Sequence, residues 1–320
     1  MSASDGSNFS RRSVIKSGVY ATVGLTVGRS ALAADDKLPQ ITKAIPSTQE
    51  KLPVIGIGTN AFGVSAPDEV AARREVLAKL PDFGGTVVDT AQAYGTSEAV
   101  IGEQVASIGN RNRLFLATKT PLAGDVSNAK DVLEKSFQQL RTDKIDLLQI
   151  HNVHGIDALL PLYLEYKKAG RIRYIGVTTS QAAQYPQLVD AMKKHPFDFV
   201  QVDYSIENRG AEKDVFPLAL SKGLAVLVNM PLGGRRGGNL IAKAGNKELP
   251  KWASEIDVTS WAQFILKYDI SHPAVTAAIP GTTKLRHLED NQRAGRGKLP
   301  DAAMRKRMEE YWDTIGGSST

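Results

Sequence analysis

Eight short runs rich in β-branched and aliphatic residues recur along the chain, each followed by a stretch of helical length. This alternation restricts the fold more than any other feature. The runs cover residues 53–59, 86–90, 114–119, 145–151, 172–178, 199–204, 225–229 and 275–279. Helical patterns follow at 67–80, 97–108, 129–140, 156–169, 181–194, 212–222, 254–267 and 284–294, with a last helix at 301–315. Leu133, Phe137 and Leu140 show the three-to-four-residue spacing that lines one helix face. Strand–helix alternation calls for parallel strands joined by crossover helices, either in a closed barrel or in an open doubly wound sheet. An open dinucleotide-binding sheet needs Gly-x-Gly-x-x-Gly after its first strand. Here Gly56, Gly58 and Gly63 have the wrong spacing, and no acidic residue ends the next strand in the required role. The expected fold is therefore α/β, a single-domain (β/α)8 TIM barrel over residues 51–320, and 42% hydrophobic residues supply its core.

The first 33 residues read differently. Arg11 and Arg12 precede a moderately apolar stretch from Ser17 to Val27, and Ala31-Leu32-Ala33 follows. That is the order of a twin-arginine export signal cleaved after Ala33, with the translocation machinery as partner and a periplasmic or otherwise exported location. A basic N-terminal helix of a cytoplasmic protein is the alternative. The apolar run falls short of the roughly 20 residues of a membrane span, and no cysteine is present to carry a lipid or a disulfide, so no stable membrane anchor is expected. Residues 34–50 read as a polar linker. Of the net charge of +6, Arg11, Arg12, Lys16 and Arg29 against Asp5 account for +3, which leaves little to attract nucleic acid.

A barrel of this kind carries its chemistry where strands end at the C-terminal face. Asp89, Lys119 and His151 end the second, third and fourth runs, and Tyr94 follows Asp89 in the same loop. Singly, each has an ordinary reading: Asp89 with Lys119 as a buried ion pair, His151 as a strand-end histidine, Tyr94 as a loop aromatic. Together they suit carbonyl reduction, which needs a proton donor beside the oxygen where negative charge develops. A free phenol, pKa about 10, is a reluctant acid. A lysine ammonium next to it favours its anion, an aspartate keeps that lysine charged, and a neutral imidazole adds a second hydrogen bond to the carbonyl oxygen.

With these motifs in order, the chain resembles the aldo-keto reductase family from Ile55 to about Asn291. Val88-Asp89-Thr90-Ala91-Gln92-Ala93-Tyr94-Gly95 looks like the family's Asp and Tyr motif, while Ala117-Thr118-Lys119-Thr120 and Leu148-Gln149-Ile150-His151-Asn152 supply Lys and His. The resemblance implies Tyr94 as general acid, Lys119 tuning it, Asp89 supporting Lys119, and His151 orienting a small carbonyl or alcohol substrate. It also implies NADP, with NAD possible. Gly58, Thr59 and Asn60 would run beside the nicotinamide ribose, and Thr178 and Gln201 would hold the carboxamide. Leu232 and Gly234, in Pro231-Leu232-Gly233-Gly234, would cross the pyrophosphate. Thr282 would bind the adenosine phosphate at a helix N-terminus, with Asp290 and Asn291 reaching the adenine amino group.

Four positions at three places depart from the family's usual pattern. Thr178 and Thr179 stand where Ser-Asn is usual, Asn229 where an aromatic ring commonly stacks on the nicotinamide, and Gly281 where many NADP-preferring relatives carry lysine, with Lys284, Arg286 or Arg235 as compensating cations. Arg235-Arg236 between pairs of glycines reads either as solvated surface or as a flap over pyrophosphate or an anionic substrate. Two other classes stay open. One is an exported nicotinamide- or carbohydrate-binding barrel with little turnover. The other is a metal-dependent hydrolase or lyase using His151, His154 and Asp157, which needs three convergent ligands.

Overall fold

The structure, a computed structural model, describes residues 38–120, 126–234 and 239–316. A short antiparallel hairpin comes first, β1 (Thr42–Ala44) on β2 (Lys51–Pro53). Eight parallel strands follow: β3 (Ile57–Gly58), β4 (Val87–Asp89), β5 (Phe115–Lys119), β6 (Ile145–Ile150), β7 (Ile172–Thr179), β8 (Phe199–Asp203), β9 (Ala225–Asn229) and β10 (Val275–Ala278). Each pairs with the next in chain order. Gly56 N donates to Ala278 O, Gly58 N to Pro280 O and Ala278 N to Val54 O, at 2.9–3.0 Å, and these bonds join the first strand to the last. The result is the (β/α)8 barrel.

Gly56 and Gly58 make that seam possible. A Cβ on Gly56 would stand 2.7 Å from Val87 Cβ, and one on Gly58 2.9 Å from Ile279 O. The two glycines thus let neighbouring strands approach, which accounts for their spacing without a phosphate-binding turn.

The helices are α1 (Pro67–Lys79), α2 (Ser97–Ile108), α3 (Ala129–Gln139), α4 (Ile156–Lys168), α5 (Tyr185–Lys194), α6 (Ala211–Lys222), α7 (Leu240–Ala244), α8 (Trp261–Ser271), α9 (Leu285–Ala294) and α10 (Ala302–Gly316). One apolar cluster, including Val88, Leu116, Leu148, Val200 and Val226, lies between strands and helices; a second fills the barrel. The second contains Val87, Phe115, Ala117, Leu147, Tyr174, Phe199, Ala225, Leu227 and Ala277, inward residues of β4 to β10.

The stretch read as a linker belongs, from Leu38 onward, to the barrel unit. Ile45 and Leu52 of the hairpin are buried with the barrel's inner cluster. Lys43 Nζ donates to Ile270 O, His272 O and Val275 O at 2.7, 2.9 and 2.7 Å. The hairpin is therefore packed on the end of the barrel where β10 begins, opposite the C-terminal ends of the strands. Helix α8, expected over 254–267, starts at Trp261 because Ser260 caps it by accepting from Gln263 N, while 251–256 forms a separate 3-10 turn.

Candidate active site

Above the apolar filling, the inward alternation turns polar. Asp89 follows Val87, Lys119 follows Ala117, Gln149 follows Leu147, Gln201 follows Phe199, and Asn229 follows Leu227, each two residues further along its strand. Period two thus carries five polar side chains to one level, toward the C-terminal ends of the strands.

Asp89 and Lys119 form the centre. Lys119 Nζ lies 2.5 Å from Asp89 Oδ2 and donates to Thr90 O at 2.9 Å, with both side chains almost wholly buried. Asp89 Oδ1 accepts from Gln201 Nε2 (2.8 Å) and Gln149 Nε2 (3.1 Å). Burial alone would push the Lys119 ammonium down, but the charges and hydrogen bonds of Asp89 and Tyr94 outweigh it and hold the ammonium above its ordinary value. Lys119 Nζ stands 5.2 Å from the centre of the Tyr94 ring.

Tyr94 is carried by the turn that follows β4, its N–H donating to Ala91 O at 3.0 Å. The His151 ring meets it edge-on, centres 6.3 Å apart and planes at 81°. Burial first, and the nearby Lys119 charge second, push His151 down to about 3, so its imidazole is neutral at ordinary pH. After His151 the chain makes two left-handed steps, Asn152 at φ 54° and Val153 at φ 53°. Such φ values are uncommon for non-glycine residues and strained for a β-branched one. Asn152 N donates to Thr178 Oγ1, and Gln184 Nε2 and Gln187 Nε2 donate to the Asn152 and Val153 carbonyls, at 3.4 Å in each case.

All four expected catalytic residues therefore meet at one mouth, and Gln149 joins them. The signal for Gln149 in the sequence is its inward phase in β6, two residues after Leu147 and two before His151. Behind the strand, Glu98 is buried between helix and sheet, accepting from Thr118 Oγ1 at 2.6 Å and Ser136 Oγ at 3.0 Å, and burial raises its carboxyl above the usual range.

The expected cofactor residues fall into two groups. Gly58, Asn60, Thr178, Gln201 and Asn229 lie at or just beyond strand ends on this side of the barrel. Leu232 and Gly234 follow β9, where Leu240 N donates to Leu232 O at 3.1 Å. Other side chains are turned inward to the protein. The buried Thr59 hydroxyl donates to Asp89 O at 2.8 Å, so it braces the Asp89 strand end instead of facing a ribose. Thr282 Oγ1 donates to Pro280 O and accepts from Asn291 Nδ2, both at 3.1 Å, which leaves main-chain groups for any phosphate there. Asp290 is engaged by Ser260 Oγ (2.8 Å) and Gln263 Nε2 (2.7 Å), tying α9 to the start of α8 instead of projecting toward an adenine.

Gln149 Oε1, His151 Nδ1 and Asn229 Oδ1, buried near the mouth, have no hydrogen-bond partner among the described residues. Helix α9 begins at Lys284 without a side-chain cap. Orphaned acceptors at the mouth and an uncapped helix N-terminus beside Lys284 and Arg286 fit a ligand with an amide at one end and phosphate at the other. Residues 1–33 and Arg235-Arg236 lie outside the described residues. For the metal alternative, no group of three His, Asp or Glu among the described residues could hold an ion. Asp157 is exposed and lies 3.7 Å from His195. No helix among the described residues is long and apolar enough to cross a membrane.

A parallel eight-stranded barrel with aspartate, lysine, tyrosine and histidine at its C-terminal mouth has the layout of an oxidoreductase. The aldo/keto reductase family model matches residues 54–312, and the chain belongs to that family. It is 30% identical over 250 residues to methylglyoxal reductase YeaE of Escherichia coli, covering 75% of this chain and 84% of that one. It is 27% identical over 303 residues to aldo-keto reductase yakc [NADP(+)] of Schizosaccharomyces pombe, covering 80% and 88%. Among solved structures, an aldo/keto reductase from Klebsiella pneumoniae in complex with NADP and acetate superposes with TM-score 0.67 at 23% identity, over 88% of this chain and 98% of that one.

Proposed function

We propose that this chain reduces a small aldehyde, ketone or dicarbonyl to an alcohol with NADPH, Tyr94 supplying the proton. The observation that carries the reading is the buried Lys119–Asp89 pair set beside the Tyr94 ring, with a neutral His151 edge-on to the same ring. The names of two relatives, a methylglyoxal reductase and an NADP(+) aldo-keto reductase, point the same way.

When bound, the reduced nicotinamide supplies a hydride to the carbonyl carbon. This chain's residues do the rest. His151, kept neutral by burial and by Lys119, donates a hydrogen bond to the carbonyl oxygen and so places it beside the Tyr94 hydroxyl. Tyr94 passes its proton to that oxygen as negative charge develops there. The Lys119 ammonium offsets the charge left on the phenol oxygen, and Asp89, oriented by Gln149 and Gln201, keeps Lys119 charged. Residues around Gly58, Asn60, Thr178, Gln201 and Asn229 would hold the nicotinamide end, Leu232 and Gly234 the pyrophosphate, and the start of α9 with Lys284 and Arg286 the adenosine phosphate.

The test is oxidation of NADPH by purified protein offered a panel of small aldehydes, dicarbonyls and sugar-derived carbonyls. A barrel that binds nicotinamide without turning over is the second reading. It is favoured by Thr179, whose hydroxyl is engaged by Gln184 Oε1 at 2.5 Å where a free amide is usual in the family. Dinucleotide binding with no turnover across the panel would select it.

We further propose export through the twin-arginine route, supported by Arg11-Arg12, the apolar stretch and Ala31-Leu32-Ala33. Cofactor recycling outside the cytoplasm would then fall to a paired alcohol substrate oxidised at the same site. Cell fractionation with and without Arg11→Lys and Arg12→Lys tests the route: the wild-type chain should leave the cytoplasm beginning at Ala34, and the double variant should stay.

A further inference from the structure

We infer that Asn229 holds the cofactor's carboxamide, its Oδ1 accepting a hydrogen bond from the amide NH2, in place of the ring stacking its position usually provides. This rests on the nicotinamide reading above.

The orientation of Asn229 is fixed through three linked groups. Lys119 is bound to Asp89 Oδ2, and Asp89 Oδ1 accepts from Gln201 Nε2 at 2.8 Å, so Gln201 must turn its Oε1 the other way. Asn229 Nδ2 then faces two acceptors, Thr179 O at 3.3 Å and Gln201 Oε1 at 3.5 Å. Flipping the Asn229 amide would set its oxygen against both of them, so the assignment follows from the network. What remains is Asn229 Oδ1, buried and without a partner among the described residues. A buried acceptor left unpaired is unfavourable, and a ligand donor placed there recovers that loss.

Position and neighbours specify the donor. Ala225 and Leu227 belong to the barrel's inner cluster, so Asn229 is the last inward residue of β9, at the mouth. Beyond it the chain turns away at once: Met230 has φ 51°, and Gly233 N donates back to Met230 O at 2.9 Å. With the Asn229 NH2 directed at Thr179 O and Gln201 Oε1, its Oδ1 can only accept, so the incoming group must bring the N–H. Thr179 cannot take the task, since its hydroxyl donates to Gln184 Oε1 and accepts from Gln181 N at 3.0 Å. A primary amide supplies N–H donors, and its carbonyl is free for donors elsewhere in the mouth.

The experiment compares the dissociation constants of oxidised NADP and of its acetylpyridine analogue, in which a methyl group replaces the amide NH2. Binding is measured by calorimetry, without turnover, for the wild-type chain, Asn229→Ala and Asn229→Ser. The wild-type chain should prefer NADP about tenfold, and each variant should bind the two within about twofold. Equal binding by the wild-type chain would overturn the inference, meaning that water satisfies Asn229 while the cofactor reading survives. A preference retained in both variants would also overturn it, by assigning the amide to another residue. Failure of the wild-type chain to bind either dinucleotide would overturn this inference together with the reading beneath it. Far-UV circular dichroism of the variants checks that they are folded, and the wild-type comparison stands without them.

Discussion

Asp89 and Lys119 present the sharpest choice between structure and catalysis, because a buried ion pair holds a barrel together whether or not any reaction occurs beside it. Lys119→Met leaves Asp89 buried, with Gln149 and Gln201 still donating to Oδ1 but no cation on Oδ2. Asp89→Asn leaves Lys119 buried without its anionic partner, still donating to the Thr90 carbonyl. Breaking a buried pair from one side typically costs about 3–5 kcal/mol, whereas removing both charges is often close to neutral. At roughly 2–4 °C per kcal/mol for domains approaching this size, each single variant should melt about 10 °C lower. The double variant should recover at least half of that loss, since an amide in place of the Asp89 carboxylate keeps the oxygen that accepts from the two glutamines. Turnover should behave differently, falling roughly a hundredfold or more in all three. Melting curves and steady-state rates on the same preparations decide the matter. A double variant that regains both stability and turnover would refute the catalytic role, and a Lys119→Met protein as stable as wild type would refute the energetics.

Other perturbations reach different parts of the account. His151 is held near 3 and His272 near 4, both mainly by burial, against an ordinary value of about 6.5. Their unfolded forms therefore bind protons that the folded forms do not, so stability should be full above about pH 6.5 and fall as pH drops toward 3–4. Denaturation midpoints from pH 7 to 4 read this, and an NMR titration of His151 centred near 6.5 would contradict it. Lys43→Met removes a half-buried cation capping three carbonyls and should lower stability by about 3 kcal/mol in urea unfolding with little change in kcat. Deleting residues 38–50 would uncover the inner cluster that Ile45 helps to seal, and should give aggregated protein instead of an active barrel.

Much of the site was readable because a strand's inward phase repeats every two residues. Val87 predicts Asp89, Ala117 predicts Lys119, and Leu147 leads to Gln149 and His151. The strand ends were likewise close, since glycine and polar residues follow them. The hairpin escaped notice because three-residue strands such as Thr42–Ala44 are too short for a periodicity to show, and a polar surround hid the buried Ile45. The start of α8 was misplaced although Ser260 and Gln263 have the Ser-x-x-Gln spacing of a helix N-terminus. Hydrogen-bond partners were least legible. Nothing local reveals that the Thr59 hydroxyl serves Asp89 O, that Asp290 is engaged by Ser260 and Gln263, or that Gln201 donates to Asp89 from 112 positions away. Those pairings arise only when the barrel closes.

Tyr94→Phe tests the central claim most directly, because it removes one oxygen from a residue at the mouth and leaves the Lys119–Asp89 pair in place. NADPH binding is measured alongside the single-turnover rate with an aldehyde that the wild-type chain reduces. The account predicts an unchanged dissociation constant and a rate lowered by roughly a hundredfold or more. A variant that still reduces the aldehyde at the wild-type rate would show that the proton comes from elsewhere.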